Sequence, residues 1–193
     1  MKNIAINGFG RIGRLALRRL LAYNDLQVVA VNDLTNSATL AHLFKYDSNY
    51  GPFKGTVSFD ETSITVDNQR IKVYALADPS ELPWQSLGVD VVIEATGRFL
   101  DKAGAMHHLR AGAKQVVLSA PAKDNAIPTV VLGINEAILN TKPVILSNAS
   151  CTTNCLAPVA KVLDDHFGIE QGVINTIHAY TADQSLQDAP IVT

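Results

Sequence analysis

The sequence predicts an α/β fold built on a doubly wound, mostly parallel sheet, followed by the start of a second domain. Three observations predict it. Short apolar runs alternate with longer amphipathic ones, as strands do when crossover helices join them into a sheet covered on both faces. Val89 to Glu94 is apolar apart from Asp90 and its last residue and reads as a strand buried in a parallel sheet. A glycine-rich turn separates the first strand from the first helix.

That turn comes first in the chain. Ile4-Ala5-Ile6 is a short strand, and Asn7-Gly8-Phe9-Gly10-Arg11-Ile12-Gly13 follows it directly. Leu15, Leu17, Leu20 and Leu21 then mark a helix with an apolar face. A second strand, Leu26 to Val31, ends at Asn32-Asp33, and Asp33 stands 20 positions beyond Gly13. Glycines between strand and helix, with an acidic residue at that distance, form the dinucleotide-binding pattern of a Rossmann-type fold. Gly8 allows the turn, Gly10 lets the backbone approach a pyrophosphate, and Gly13 lets helix and strand pack closely. Asp33 is placed to accept hydrogen bonds from the adenosine ribose hydroxyls, and its charge repels a 2′-phosphate, which favours NAD over NADP. A tight turn with Asp33 as a helix cap is the purely structural alternative.

Ala38 to Phe44 reads as a helix. Val57 to Phe59, Ser63 to Val66 and Ile71 to Tyr74 alternate in polarity and are separated by Asp60-Glu61 and Asp67-Asn68, an antiparallel meander. Asp78-Pro79-Ser80 and Leu82-Pro83-Trp84 mark turns and a short helix. After the strand Val89 to Glu94 comes Ala95-Thr96-Gly97-Arg98, a strand-end loop of the kind that lines a cofactor cleft. Lys102 to Ala111 is helical, and Gln115 to Leu118 is a strand ending at Ser119. Thr129 to Leu132 and Val144 to Leu146 read as further strands, and Leu156 to Phe167 as a helix.

Ser147 to Cys155 lies between the last of those strands and the last helix. A cysteine at a helix N-terminus meets unpaired backbone N–H groups and the positive end of the helix dipole, which favour the reactive thiolate. The same N–H groups suit an oxyanion or a phosphate. Cys151 is therefore a candidate nucleophile, with a buried structural thiol as the alternative. Cys155, one turn further on, is expected to be buried and less reactive. Val173 to Ile177 reads as a strand leading to His178, a candidate general base for Cys151 and equally a capping or core histidine. His42, His107, His108 and His166 lack metal-ligand spacing and read as surface or packing residues.

The totals bound the function. The 193 residues fill one domain and part of a second. A hydrophobic content of 47% with 18% charged residues suits a folded chain. A net charge of −2 without a basic run points away from nucleic acid and from anionic membranes as partners. No apolar run is long enough to span a bilayer, and no charged-then-apolar leader precedes the first strand. The only cysteines, Cys151 and Cys155, are poorly framed for a disulfide within one helical turn, which fits a reducing, cytoplasmic setting.

Three stretches together carry a family resemblance: Asn7 to Arg14, Ser147 to Cys155, and His178-Ala179-Tyr180-Thr181. With Lys45-Tyr46-Asp47-Ser48, they resemble phosphorylating, NAD-dependent glyceraldehyde-3-phosphate dehydrogenase. The resemblance implies a Rossmann-type NAD-binding domain over residues 1–150 and the beginning of a catalytic domain over 151–193. It implies that Arg11 and Ile12 lie against the pyrophosphate, that Asp33 holds the adenosine ribose, and that Thr96 and Ser119 line the cofactor cleft. Cys151 becomes the nucleophile and His178 its base, while Ser150, Thr152 and Thr181 hold oxygens of the substrate or of phosphate. Position 77 is Ala, where a basic residue before Asp78-Pro79 is common in the family.

The implied reaction oxidises glyceraldehyde 3-phosphate with NAD and inorganic phosphate to an acyl phosphate through a cysteine thioester, in a homo-oligomer that is tetrameric in the family. The family continues well past the cysteine helix. Its phosphate-binding arginine and nicotinamide-orienting asparagine are expected beyond Thr193, so the chain alone is expected to have little activity. Erythrose-4-phosphate dehydrogenase and a non-catalytic NAD-binding module are the alternatives.

Overall fold

In the computed structural model, which describes residues 1–181, the first apolar run forms β1 (Lys2–Asn7) and the glycine turn leads into α1 (Arg11–Leu20). Then follow β2 (Leu26–Asn32), α2 (Ser37–Lys45), β3 (Val57–Asp60), β4 (Ser63–Val66), β5 (Gln69–Tyr74) and β6 (Val91–Glu94). The chain continues through α3 (Lys102–Arg110), β7 (Gln115–Leu118), β8 (Ile145–Ser147) and α4 (Cys151–Phe167). The strands make one eight-stranded sheet in the order β3-β4-β5-β2-β1-β6-β7-β8. The run β5-β2-β1-β6-β7-β8 is parallel, and the β3-β4-β5 meander is antiparallel. This is the mostly parallel, doubly wound sheet that the sequence predicts.

Side-chain alternation explains why the parallel strands are apolar on both faces. Ile4 and Ile6 of β1 enter a core with Leu17, Leu40 and Phe44 from α1 and α2, while Ala5 between them packs on the opposite face near Trp84, Val89 and Val92. The register slips between Ile4 and Ala5, so Val28 and Val31 of β2 share the first face although they are three residues apart. A third core, including Ala105, Val116, Leu118 and Ile145, lies around α3, β7 and β8.

Side-chain caps set the helix starts. The Asn36 side chain accepts the Thr39 N–H at 2.9 Å, and the Asp101 side chain accepts the Gly104 N–H at 2.7 Å. At the meander, Ser63 and the Thr62 N–H donate to Asp60, with Arg70 beside it, and they lower its carboxyl from 3.8 to about 2.

Three sequence expectations are corrected. The last helix starts at Cys151 rather than Leu156, because Ser150 caps it and the Thr-Thr-Asn run forms its first turn. Thr129 to Leu132 does not form a strand and contributes only a bridge from Thr129 to Ser147. Val173 to Ile177 has apolar residues but no ladder partner among the described residues, and it is not a strand.

Candidate active site and cofactor cleft

Because β2, β1, β6, β7 and β8 are parallel, their carboxyl ends share one edge of the sheet. Backbone bonds carry the ladder past the strand ends. The Gly8 N–H donates to Asn32, Ala95 to Asn7, Ser119 to Glu94 and Asn148 to Leu118. The chain winds outward in both directions from β1 and β6, so the crevice between these two strands is the topological switch point, where such sheets bind ligands.

A cleft of about 700 Å³ opens there. Gly8, Gly10, Arg11, Ile12, Asp33 and Thr96 all line it. The glycines have distinct geometries. Gly8 has φ +91°, and a Cβ there would lie 2.7 Å from the Ala95 and Thr96 backbone. At Gly13 a Cβ would lie 2.1 Å from the Gly8 carbonyl oxygen. At Gly10 a Cβ would meet nothing within 4 Å, so the backbone there is open to an incoming group.

α1 begins without a side-chain cap and with no acidic residue in its first turn, leaving its leading N–H groups for an anion. Arg11 adds a guanidinium 3.5 Å from Asp47. The Tyr50 and Asn49 N–H groups, with Arg11 nearby, hold the Asp47 carboxyl below the usual range. The Asp33 carboxylate accepts the Phe9 N–H at 2.8 Å and the Thr35 N–H at 3.1 Å, which fix it at the cleft wall with lone pairs to spare. A glycine cradle, an uncapped helix start, a cation and an oriented carboxylate fit a dinucleotide pyrophosphate and its ribose. Ala77 lines the same cleft and brings no charge to it.

Two strands away, α4 starts at the carboxyl end of β8. Ala149 holds φ +60° in a buried turn, with its N–H on Ser147 Oγ at 3.1 Å. The Ser150 hydroxyl accepts the Thr153 N–H at 2.9 Å as the helix cap and lies 3.0 Å from Thr152 Oγ1. Cys151 Sγ lies 3.2 Å from His178 Nε2, while His178 Nδ1 contacts the Ala179 carbonyl. A carbonyl only accepts, so Nδ1 carries the proton in the neutral ring and Nε2 presents its lone pair to the thiol. The geometry can thus move a proton from sulfur to imidazole.

The structure brings Cys151 and His178 together and gathers Gly8, Gly10, Arg11, Ile12, Asp33 and Thr96 around one cleft. Gly13 is buried behind the cleft, and Ser119 lies at the end of β7, outside the cleft lining. Thr152 and Thr181 are exposed, Thr152 in the first turn of α4. Cys155 is exposed, not buried, because no residue of α4 is buried under a covering layer among the described residues.

The sequence reading gives no role to the side chains of four buried residues at or behind the cleft: Asn7, Asn32, Glu94 and His108. Their one visible signal is that the apolar strands β1, β2 and β6 each end on a polar residue. Among the described residues no helix is long and apolar enough to cross a membrane, and no group of His, Cys, Asp or Glu is placed to hold a metal.

Fold and cleft define a dinucleotide-binding α/β protein. Residues 2–102 match the family described as glyceraldehyde 3-phosphate dehydrogenase, NAD binding domain, and residues 150–192 match the C-terminal domain of the same family. The chain belongs to the glyceraldehyde-3-phosphate dehydrogenase family, and its cofactor is NAD.

The chain is 56% identical over 190 residues to glyceraldehyde-3-phosphate dehydrogenase of Clostridium pasteurianum, covering 98% of this chain and 57% of that one. It is 54% identical over 187 residues to the enzyme of Mycoplasma pneumoniae, covering 97% and 56%. It is 53% identical over 192 residues to that of Thermotoga maritima, covering 98% and 57%. The chain thus spans about 57% of the length of these relatives.

Asp33 makes a prediction about cofactor choice. Calorimetric titration of the chain is expected to show a preference for NAD over NADP of about 100-fold, set by carboxylate–phosphate repulsion. Asp33→Ser is expected to reduce that ratio to within about tenfold. NADP binding as tight as NAD in the parent chain rules out this role for Asp33.

Proposed function

We propose that this chain provides the cofactor-binding and nucleophile-bearing part of a glycolytic, NAD-dependent, phosphorylating glyceraldehyde-3-phosphate dehydrogenase. The observation that carries this reading is the Cys151 thiol at the start of α4 facing the lone pair of His178. Residues 1–150 form the cofactor domain and residues 151–193 begin the catalytic domain. The end of the sheet at Ser147 and the separate family match from residue 150 support that division. The protein works in the cytoplasm as a homo-oligomer.

The reaction divides into two acts of Cys151. Its sulfur attacks the aldehyde carbon of glyceraldehyde 3-phosphate and forms a C–S bond, which gives a hemithioacetal. His178 Nε2 takes the hydroxyl proton as the carbon loses hydride, and a thioester remains on sulfur. NAD, when bound, supplies the two-electron acceptor for that hydride. An oxygen of inorganic phosphate then attacks the thioester carbonyl. The C–S bond breaks, the thiolate returns to Cys151, and an acyl phosphate leaves. Ser150, Thr152 and Thr181 hold phosphate or substrate oxygens around these steps. Thr96 lines the cofactor cleft, Ser119 at the end of β7 extends the cofactor side toward Cys151, and Arg11 and Ile12 flank the pyrophosphate.

A second reading, an NAD-binding module without catalysis of its own, draws on the exposed face of α4. Leu156, Val159, Val162 and Leu163 are 38%, 57%, 58% and 46% exposed there. One experiment separates the two. The protein carrying these residues is mixed with glyceraldehyde 3-phosphate and NAD without phosphate. A burst of reduced cofactor close to one per site, with acyl mass retained on the Cys151 peptide, is expected. NAD binding with no burst and no adduct overturns the enzyme reading in favour of the module.

A further inference from the structure

We infer that Asn154 is a positioning residue for the nucleophile: its side-chain amide holds the turn at Ala149 that aims the Cys151 sulfur at His178. The inference rests on the reading of Cys151 as nucleophile and His178 as its base. It starts from backbone strain. Ala149 is buried with φ +60°, a left-handed conformation that its Cβ makes unfavourable and that glycine adopts freely. Among the described residues two other non-glycine positions have positive φ, Asp67 in the β4–β5 turn and Lys142 in a loop, and both are exposed. A strained residue persists where its surroundings over-determine it, and such residues gather where a functional group must be held in place.

Two side chains hold this turn. Ser147, fully buried at the end of β8, donates to the Ala120 carbonyl at 2.8 Å and accepts the Ala149 N–H at 3.1 Å. From the helix side, Asn154 Nδ2 donates to the Asn148 carbonyl at 2.7 Å and to the Ser150 carbonyl at 2.9 Å. These carbonyls flank Ala149, and the one amide nitrogen has two hydrogens for them. The Ser150 carbonyl also accepts the Asn154 backbone N–H at 3.0 Å, so both of its lone pairs are used. The Asn148 N–H donates to the Leu118 carbonyl at 2.9 Å, which hangs the turn on β7.

The clasp reaches the nucleophile through one peptide group. The Ser150 carbonyl belongs to the planar unit that joins Ser150 to Cys151, so fixing that plane fixes the direction in which the Cys151 side chain leaves the backbone. The helix itself does not need Asn154 to start, because the Ser150 hydroxyl already caps it at the Thr153 N–H. Without the amide, α4 remains, and the turn relaxes toward the negative φ of an ordinary alanine. The sulfur then leaves its place 3.2 Å from His178 Nε2. A misplacement of about 1 Å at a reacting group can cost about 100-fold in rate.

The test applies limiting iodoacetamide, with NAD bound, to the parent chain and to Asn154→Ala, each with and without His178→Asn. Peptide mapping reads Cys151 against Cys155, an internal reference on the same helix. Asn154→Ala is expected to cut the ratio of labelling rates from at least about tenfold to within about threefold. In the His178→Asn chain it is expected to change the ratio less than about twofold, because the group at which the sulfur is aimed is gone. Adding Ala149→Gly to Asn154→Ala is expected to bring the ratio back to about fivefold or more, because glycine keeps the turn without the clasp. In the protein carrying these residues, Asn154→Ala is expected to lower kcat about 30-fold with KM for glyceraldehyde 3-phosphate within about threefold. Equal slowing of both thiols means a merely structural role and overturns the inference. So does an Asn154→Ala effect of the same size with and without His178, or no recovery with Ala149→Gly. Should Asn154→Ala not fold, Asn154→Ser, with one donor hydrogen for two carbonyls, decides by the same ratios. A parent chain that labels Cys151 no faster than Cys155 overturns the nucleophile reading and the inference with it. A parent that labels Cys151 faster while Asn154→Ala matches it overturns the inference alone.

Discussion

Gly13→Ala is expected to abolish measurable NAD binding and to lower the melting temperature by about 5 °C, an overpacking cost of about 1–3 kcal/mol in a domain of this size. The added methyl would sit 2.1 Å from the Gly8 carbonyl oxygen and 3.1 Å from Ile6 Cγ2. Both neighbours belong to β1 and its turn, in the centre of the sheet, and a backbone carbonyl cannot swing aside as a side-chain end can. Relief comes only by moving α1 away from β1, which opens the turn and carries the uncapped N–H groups out of line with the cleft.

Gly10→Ala is the internal control. A Cβ there meets nothing within 4 Å, so the melting temperature is expected to hold within about 1 °C. The methyl enters the space where a pyrophosphate approaches, and NAD affinity is expected to fall about tenfold or more. Thermal melts and calorimetry on the pair test the assignment of each glycine. Gly13→Ala with parental affinity would remove the argument that close packing of helix on strand builds the site.

The cleft was legible in the sequence where local chemistry and topology coincide. Gly8, Gly10 and Gly13 sit at fixed offsets because a strand, a turn and a helix must meet within a few residues, and Asp33 ends the next strand of the same unit. The buried contacts of Glu94 with His108 and of His108 with Trp84 have no such local frame. His108 reaches Glu94 across 14 residues of chain, and Trp84 lies 24 residues from His108. Spacing says nothing about a contact of that kind until helix α3 is docked on the sheet. Val173 to Ile177 shows the opposite failure. Its residue types suit a strand, yet a strand exists only with a partner to take its N–H and C=O groups, and residues 1–181 provide none. Cys155 was misplaced for a related reason. Its position in a helix was readable, but the layer that decides burial is a tertiary fact.

Limiting iodoacetamide, applied with NAD bound, is expected to label Cys151 at least about tenfold faster than Cys155. Both thiols are exposed, so access does not separate them. The difference lies in their surroundings. Cys151 opens α4 and has His178 Nε2 at 3.2 Å as a proton acceptor. Cys155 begins the second turn, inside the helix hydrogen-bond ladder and away from that imidazole. His178→Asn is expected to narrow the labelling ratio by removing the proton acceptor, with peptide mapping as the readout. In the protein carrying these residues, Cys151→Ser is expected to lower the rate of glyceraldehyde 3-phosphate oxidation at least about 10,000-fold, because it removes the covalent route. His178→Asn is expected to cost about 100- to 10,000-fold, the usual range for a positioned general base. Cys155→Ser is expected to stay within about threefold of the parent, as an exposed thiol with no partner role in the reaction. Faster labelling of Cys155, or a Cys151→Ser enzyme that keeps its rate, would show that the nucleophile has been assigned to the wrong residue.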